Sequence, residues 1–136
     1  MSTPKANLLA GMDDFTKAYL ECLYWVSIKE DPDNENSDEN FDAHSFDEMA
    51  VDSLKRSISD CKSFQEEQAA QLSQAYEMPG YTDSQAGHDF CLTRNWHGAG
   101  FWDRGLPEKL GQALTKASHE YGEIGLYLFR GKIWLQ

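Results

Sequence analysis

The chain has 136 residues, 40% of them hydrophobic and 12% aromatic, which is enough apolar material for one domain with a modest core. Its 23 acidic residues outnumber its 12 lysines and arginines and give a formal net charge of -11. This charge repels nucleic-acid phosphates, so direct nucleic-acid binding is disfavoured and a protein partner with a basic surface is favoured.

The composition also predicts a cytoplasmic protein with reduced thiols. The first five residues lack the apolar core of a signal peptide, and no apolar run of about 18 residues is present to span a membrane. The three cysteines, Cys22, Cys61 and Cys91, are far apart and surrounded by apolar residues, which favours buried free thiols over a disulfide framework. No Cys/His spacing of a zinc site occurs, so neither a metal nor a cofactor is predicted.

The first part of the chain predicts a helix followed by an acidic loop. Asp13 and Asp14 begin the helix, and apolar residues at helical spacing extend it to about Val26. Residues 29–44 alternate acidic residues with Asn, and the mutual repulsion of the carboxylates predicts a flexible, exposed loop. An EF-hand calcium loop is a poor match to this segment, because Asn36 occupies the position that requires glycine.

The rest of the chain predicts a mixture of helices and strands. In chain order these are a helical turn over 45–50, a helix over 53–77, strands over 88–93 and 99–102, a helix over 107–122, and strands over 124–129 and 132–135. Arg130 and Gly131 form the two-residue turn of the last hairpin. The predicted fold class is α+β, a single domain over 1–136 with two N-terminal helices and then hairpin–helix–hairpin forming a small antiparallel sheet.

The segment from Gly87 to Gly105 concentrates glycine, aromatic and charged residues, and it admits four interpretations. Its imidazoles and carboxylates are suitable for a divalent metal that supports hydrolysis. A histidine beside a carboxylate, such as His97 beside Asp103, is suitable as a general base. Its glycines and arginines are suitable for cradling an anion. In a purely structural interpretation, Arg94 pairs with Asp89 or Asp103, Phe101 and Trp102 enter the core, and the glycines permit tight turns. The candidate ligand-site residues are His88, Asp89, Asn95, His97 and Asp103.

This segment resembles a group of small bacteriophage-encoded proteins. The shared motif reads Gly-His-Asp-Phe-x-Leu-Thr-Arg-Asn-x-His-Gly-Ala-Gly-Phe-Trp-Asp-Arg-Gly, with Cys91 and Trp96 at its two variable positions. The resemblance implies a phage origin. Small acidic phage proteins often bind and block a host protein such as a nuclease, RNA polymerase or a defence component.

The leading hypothesis is therefore a phage accessory protein that binds and inhibits a host protein through an acidic surface, as an anti-defence factor or a DNA mimic. Its predicted contact residues are Asp31, Asp33, Glu35, Asp38, Glu39, Asp42, Arg94, Trp96 and Arg104. The alternative is a small-molecule- or metal-binding domain or a hydrolase centred on a hairpin from His88 to Arg104. A third hypothesis is a structural or assembly protein that forms homo-oligomers through the first helix.

Overall fold

Six helices and one two-stranded hairpin make up residues 5–29 and 45–135, the part of the chain that the computed structural model describes. The helices are α1 (Lys5–Ala10), α2 (Asp14–Lys29), α3 (Val51–Glu67), α4 (Ala69–Tyr76), α5 (Asp83–Arg94) and α6 (Glu108–His119). The strands are β1 (Leu126–Phe129) and β2 (Lys132–Leu135), and 3₁₀ turns cover Phe46–Glu48 and Phe101–Asp103. None of these helices is long and apolar enough to cross a membrane.

The α+β prediction is wrong, because residues 88–93 lie within α5 and residues 101–103 form a 3₁₀ turn. Eight of the twelve residues of α5 are buried, so the helix has no polar face and its apolar residues form no single stripe with helical period. In so short a window, the alternation of side chains cannot distinguish a buried helix from a strand. A local helix signal was nevertheless present, because the Thr82 hydroxyl caps α5 by accepting a hydrogen bond from the Gln85 N–H at 3.2 Å.

Other predictions agree better with the structure. The first helix is confirmed, and the Asp13 carboxylate caps it by accepting a hydrogen bond from the Thr16 N–H at 2.8 Å. The helix predicted over 53–77 is broken at Gln68 into α3 and α4. The final hairpin is confirmed. The predicted acidic loop falls on residues outside the described ranges, apart from its first residue, which ends α2.

The hairpin closes onto the start of α3. Arg130 and Gly131 both have positive φ angles, 51° and 74°, as the tight turn between two antiparallel strands requires. The Ala50 N–H donates to the carbonyl of Ile133 at 2.8 Å, and the Leu135 N–H donates to the Ser53 hydroxyl at 3.1 Å. The last strand is therefore held by residues more than 80 positions earlier.

The core is built on the contact between α2 and α5. The rings of Phe64 and Phe90 stack with centroids 4.2 Å apart, and Phe15 and Tyr19 pack against Phe90 from α2. A Cβ atom at Gly87 would lie 2.0 Å from the carbonyl oxygen of Phe15, so the backbones of the two helices touch directly. Each fully buried aromatic side chain contributes on the order of 1.5–3 kcal/mol to folding.

Candidate functional site

Asp89 is a buried carboxylate whose hydrogen bonds are all made within the chain. Its Oδ2 accepts from the Tyr81 hydroxyl at 2.7 Å, and its Oδ1 accepts from Gln85 Nε2 at 3.0 Å and Arg104 Nε at 2.9 Å. Burial and the adjacent carboxylate raise the pKa of Tyr81, so its phenol remains a donor. Asp89 is thus a fixed structural anion that holds the guanidinium of Arg104 against α5.

Arg94 is the largest fully buried side chain in the described part of the chain, with 1% of its surface exposed. Its guanidinium donates to the Tyr19 hydroxyl at 2.9 Å, to the Asp60 carboxylate at 3.0 Å, and to the carbonyls of Tyr121 and Gly122 at 2.9 and 2.8 Å. Burial alone would lower the pKa of Arg94, but the Tyr19 and Asp60 oxygens raise it overall. Arg94, predicted as a contact residue, is therefore buried inside the domain, and its ion-pair partner is Asp60, not Asp89 or Asp103.

The polar residues after α5 fix the course of the following loop. The Asn95 amide donates to the Cys91 carbonyl at 2.9 Å and accepts from the Ile124 N–H at 2.8 Å. The Thr93 hydroxyl accepts from the Phe101 N–H at 3.3 Å, and the Asp103 carboxylate accepts from the Gly100 N–H at 3.1 Å. These contacts hold the loop in place with groups that a ligand site would otherwise use.

The predicted ligand-site residues do not meet at one point, although Asp89 and Asp103 both lie near Arg104 Nε, at 2.9 and 3.9 Å. His88 and Asp89 follow one another on a helix and face different neighbours, since the imidazole of His88 lies beside the Cys22 thiol. His97 is partly buried after the end of α5, and Asp103 is exposed on the 3₁₀ turn. Within residues 5–29 and 45–135, no three His, Cys, Asp or Glu side chains are placed to hold a metal ion.

Trp96 ends α5 in an unusual way. The Trp96 and His97 N–H groups donate to the carbonyls of Thr93 and Leu92 at 3.1 and 3.0 Å, which is the Schellman pattern of helix termination. That pattern needs a left-handed residue, normally glycine, and here Trp96 occupies it with φ 58°. The indole is 64% exposed and stacks on the His119 imidazole with centroids 3.6 Å apart. The prediction of Trp96 as an exposed residue agrees with the structure.

A second exposed tryptophan lies on the same loop. Trp102 is 58% exposed on the 3₁₀ turn, whose backbone packs against α6 at Gly111. The prediction that Trp102 enters the core beside Phe101 is therefore wrong for Trp102, and the sequence predicts no role for His119. The local sequence around these two residues does not distinguish an exposed aromatic side chain from a buried one such as Phe101.

The acidic residues predicted to contact a partner lie outside the described residues. They are Asp31, Asp33, Glu35, Asp38, Glu39 and Asp42. Comparisons with protein-family models, curated proteins and solved structures found no match to the chain. The proposed function therefore rests on the side chains and on the sequence resemblance of the segment from Gly87 to Gly105.

Proposed function

We propose that this chain is a bacteriophage accessory protein that binds and inhibits a host protein, and that Trp96 is the centre of its contact surface. The polar groups of α5 and the following loop are bound to one another, as the contacts of Asp89, Arg94 and Asn95 show. The segment from Gly87 to Gly105 therefore supports its two exposed tryptophans on a rigid base. The sequence resemblance to small phage proteins supports the host-directed role.

The observation that carries the proposal is the position of Trp96. A non-glycine residue in the left-handed conformation costs roughly 1–2 kcal/mol. An indole with 64% of its surface exposed gains little from burial, and its stack on His119 returns only about 0.5–1.5 kcal/mol. Stability alone thus gives tryptophan no advantage over glycine at this position. Tryptophan is among the residues most enriched at the energetic centres of protein interfaces, so binding accounts for its presence.

The acidic segment supports a partner with a basic surface. Residues 30–44 hold seven carboxylates and no lysine or arginine. Charges of one sign increase the rate at which a protein encounters an oppositely charged surface. At moderate salt this attraction acts over a distance of about 10 Å. This effect requires no fixed geometry of the carboxylates. Electrostatic attraction would then set the association rate, and the tryptophan contact would set the dissociation rate.

The test compares the wild-type chain with Trp96→Gly, a change that removes the ring and suits the left-handed backbone. Both are immobilised and exposed to bacterial lysate, and the affinity and activity of a protein captured by the wild type are then measured. We expect the wild type to inhibit that protein and Trp96→Gly to bind at least about 30-fold more weakly. Phe129→Ala, which removes a 51% exposed ring from the hairpin, is the matched control and should bind normally.

The electrostatic part is tested separately by neutralising Asp31, Asp33, Asp38 and Glu39 to their amides. The association rate should fall and lose its salt dependence, while the dissociation rate stays the same. Unchanged capture by Trp96→Gly would refute the contact surface. Salt-independent association of the wild type would refute the basic partner.

A further inference from the structure

The two edges of the C-terminal hairpin differ in what covers them. On the β2 side, Ile133 forms a parallel bridge with Met49, and its carbonyl accepts a hydrogen bond from the Ala50 N–H at 2.8 Å. On the β1 side, no further strand pairs with the hairpin within residues 5–29 and 45–135. The segment before α3 thus protects the edge of β2, and in the described part of the chain β1 is left as an edge strand.

Backbone hydrogen-bonding groups of β1 point along this edge. Phe129 and Lys132 flank the two-residue turn, so they are a hydrogen-bonded pair of the ladder. Hydrogen-bonded pairs alternate along antiparallel strands, which makes Tyr127 and Trp134 the next such pair. The N–H and C=O groups of residues 126 and 128 consequently point away from β2 and are available to another strand.

β1 lacks the features that usually keep an edge strand from pairing. Such strands commonly carry a charged residue, a proline or a bulge, whereas Leu126–Phe129 has no charge or proline and pairs in continuous register. Tyr127 and Phe129 are exposed at 40% and 51%, on the same face of the hairpin as Trp134. The Trp134 indole donates to the Phe129 carbonyl at 3.3 Å. Although the chain carries a net charge of -11, two copies can therefore approach along β1 without bringing like charges together.

We propose that β1 pairs with β1 of a second copy of this chain, so that two hairpins form a four-stranded antiparallel sheet with its two-fold axis at Tyr127. Antiparallel pairing of a strand with itself gives both copies the same contacts. Residues 126 and 128 of one copy then bond to residues 128 and 126 of the other, and the two Tyr127 side chains lie directly opposite each other. The aromatic face runs from Trp134 through both Tyr127 rings to Trp134 of the second copy.

The charges that flank β1 favour the same partner. Glu123 precedes the strand, Arg130 follows it, and both side chains are exposed. In the proposed register, Arg130 lies opposite Ile124 of the second copy, one residue from its Glu123. An antiparallel copy of the same strand therefore aligns the positive end of β1 with the negative end of its partner, and the two-fold axis does so twice.

The first test is analytical ultracentrifugation of the full chain from micromolar to millimolar concentration. We expect the average mass of the wild type to rise toward twice that of one chain. Tyr127→Lys should dimerise at least about tenfold more weakly, because it places two ammonium groups opposite each other on the axis. Gln112→Lys adds the same charge to an exposed position of α6 and should dimerise like the wild type. A wild type that stays monomeric, or a Tyr127→Lys variant that dimerises normally, would overturn the proposal.

The second test fixes the register of the two strands. Tyr127→Cys places a thiol opposite its own copy across the axis, so mild oxidation should link two chains through a disulfide. Phe129→Cys is the matched control on the same exposed face, because its thiol lies opposite Gly125 of the second copy and roughly 14 Å along the strands from its own counterpart. The native cysteines are buried. Equal linkage of the two variants, or no linkage of Tyr127→Cys, would contradict the proposed pairing.

Discussion

In the native chain, the stacked indole of Trp96 stabilises the fold and the left-handed backbone at Trp96 destabilises it. Replacing Trp96 with glycine and with alanine separates these two contributions. Both variants lose the indole that stacks on His119 at 3.6 Å, a contact worth about 0.5–1.5 kcal/mol. Alanine keeps a Cβ atom at a backbone φ of 58°, where a side chain costs roughly 1–2 kcal/mol. Glycine removes that cost but loses about 0.4–1 kcal/mol through the greater freedom of its unfolded chain. We therefore expect the glycine variant to be about 1 kcal/mol more stable than the alanine variant.

The same reasoning places the glycine variant within roughly 0.5 kcal/mol of the wild type, since the loss of the stack and the relief of strain nearly cancel. For a chain of this size, 1 kcal/mol corresponds to about 3–5 °C in the melting temperature. Calorimetry on the three proteins under identical conditions measures both differences. Equal melting temperatures for the glycine and alanine variants would show that Trp96 carries no left-handed strain, and the stability argument for a binding role would fail.

Three further outcomes follow from the core and from the helix ends. Gly87→Ala should lower the free energy of unfolding, measured by urea titration, by about 2–3 kcal/mol, because its Cβ would meet a backbone oxygen at 2.0 Å. Gly111→Ala is the control, because its Cβ would lie 3.3 Å from the nearest backbone oxygen, and it should change the free energy of unfolding by less than about 1 kcal/mol. Arg94→Lys should lower the free energy of unfolding by about 2–4 kcal/mol in the same titrations, because one ammonium cannot replace the four hydrogen bonds of the planar guanidinium. An unchanged free energy of unfolding would contradict the structural role of the guanidinium. Burial acts to raise the pKa of Asp13, but the hydrogen bonds from Thr16 lower it overall. The stabilising contribution of this carboxylate should therefore be present above the ordinary carboxyl pKa and disappear as the pH falls through the lowered value. Asp13→Asn should remove this pH dependence while keeping the helix cap.

The elements that the sequence predicted correctly are those with signals inside a few neighbouring residues. Asp13 begins α2 with a carboxylate that binds an N–H three positions later, and Arg130 and Gly131 close the hairpin within two residues. Pro107 likewise precedes the first turn of α6. Each of these signals operates over a distance that a short window of sequence contains.

The central segment could not be predicted in this way, because its polar residues bind groups far away in the chain. Arg94 binds Tyr19, which is 75 positions earlier, and Asp89 binds Arg104, which is 15 positions later. With both charges buried, α5 lacks the polar side that normally reveals a helix. The sequence therefore located the segment that organises the molecule but assigned it strands, and it placed one buried arginine on the surface.

The contacts of Arg94 have a consequence for the order in which the molecule can assemble. A chain synthesised from its N-terminus at roughly 5–20 residues per second presents α2, α3 and α5 before the carbonyls of Tyr121 and Gly122 exist. Until then, two of the guanidinium N–H groups have no protein acceptor, and burying each without one costs about 1–3 kcal/mol. A nascent chain that already contains all six helices is thus kept from final packing, and the core closes only after the segment that follows α6 has been made.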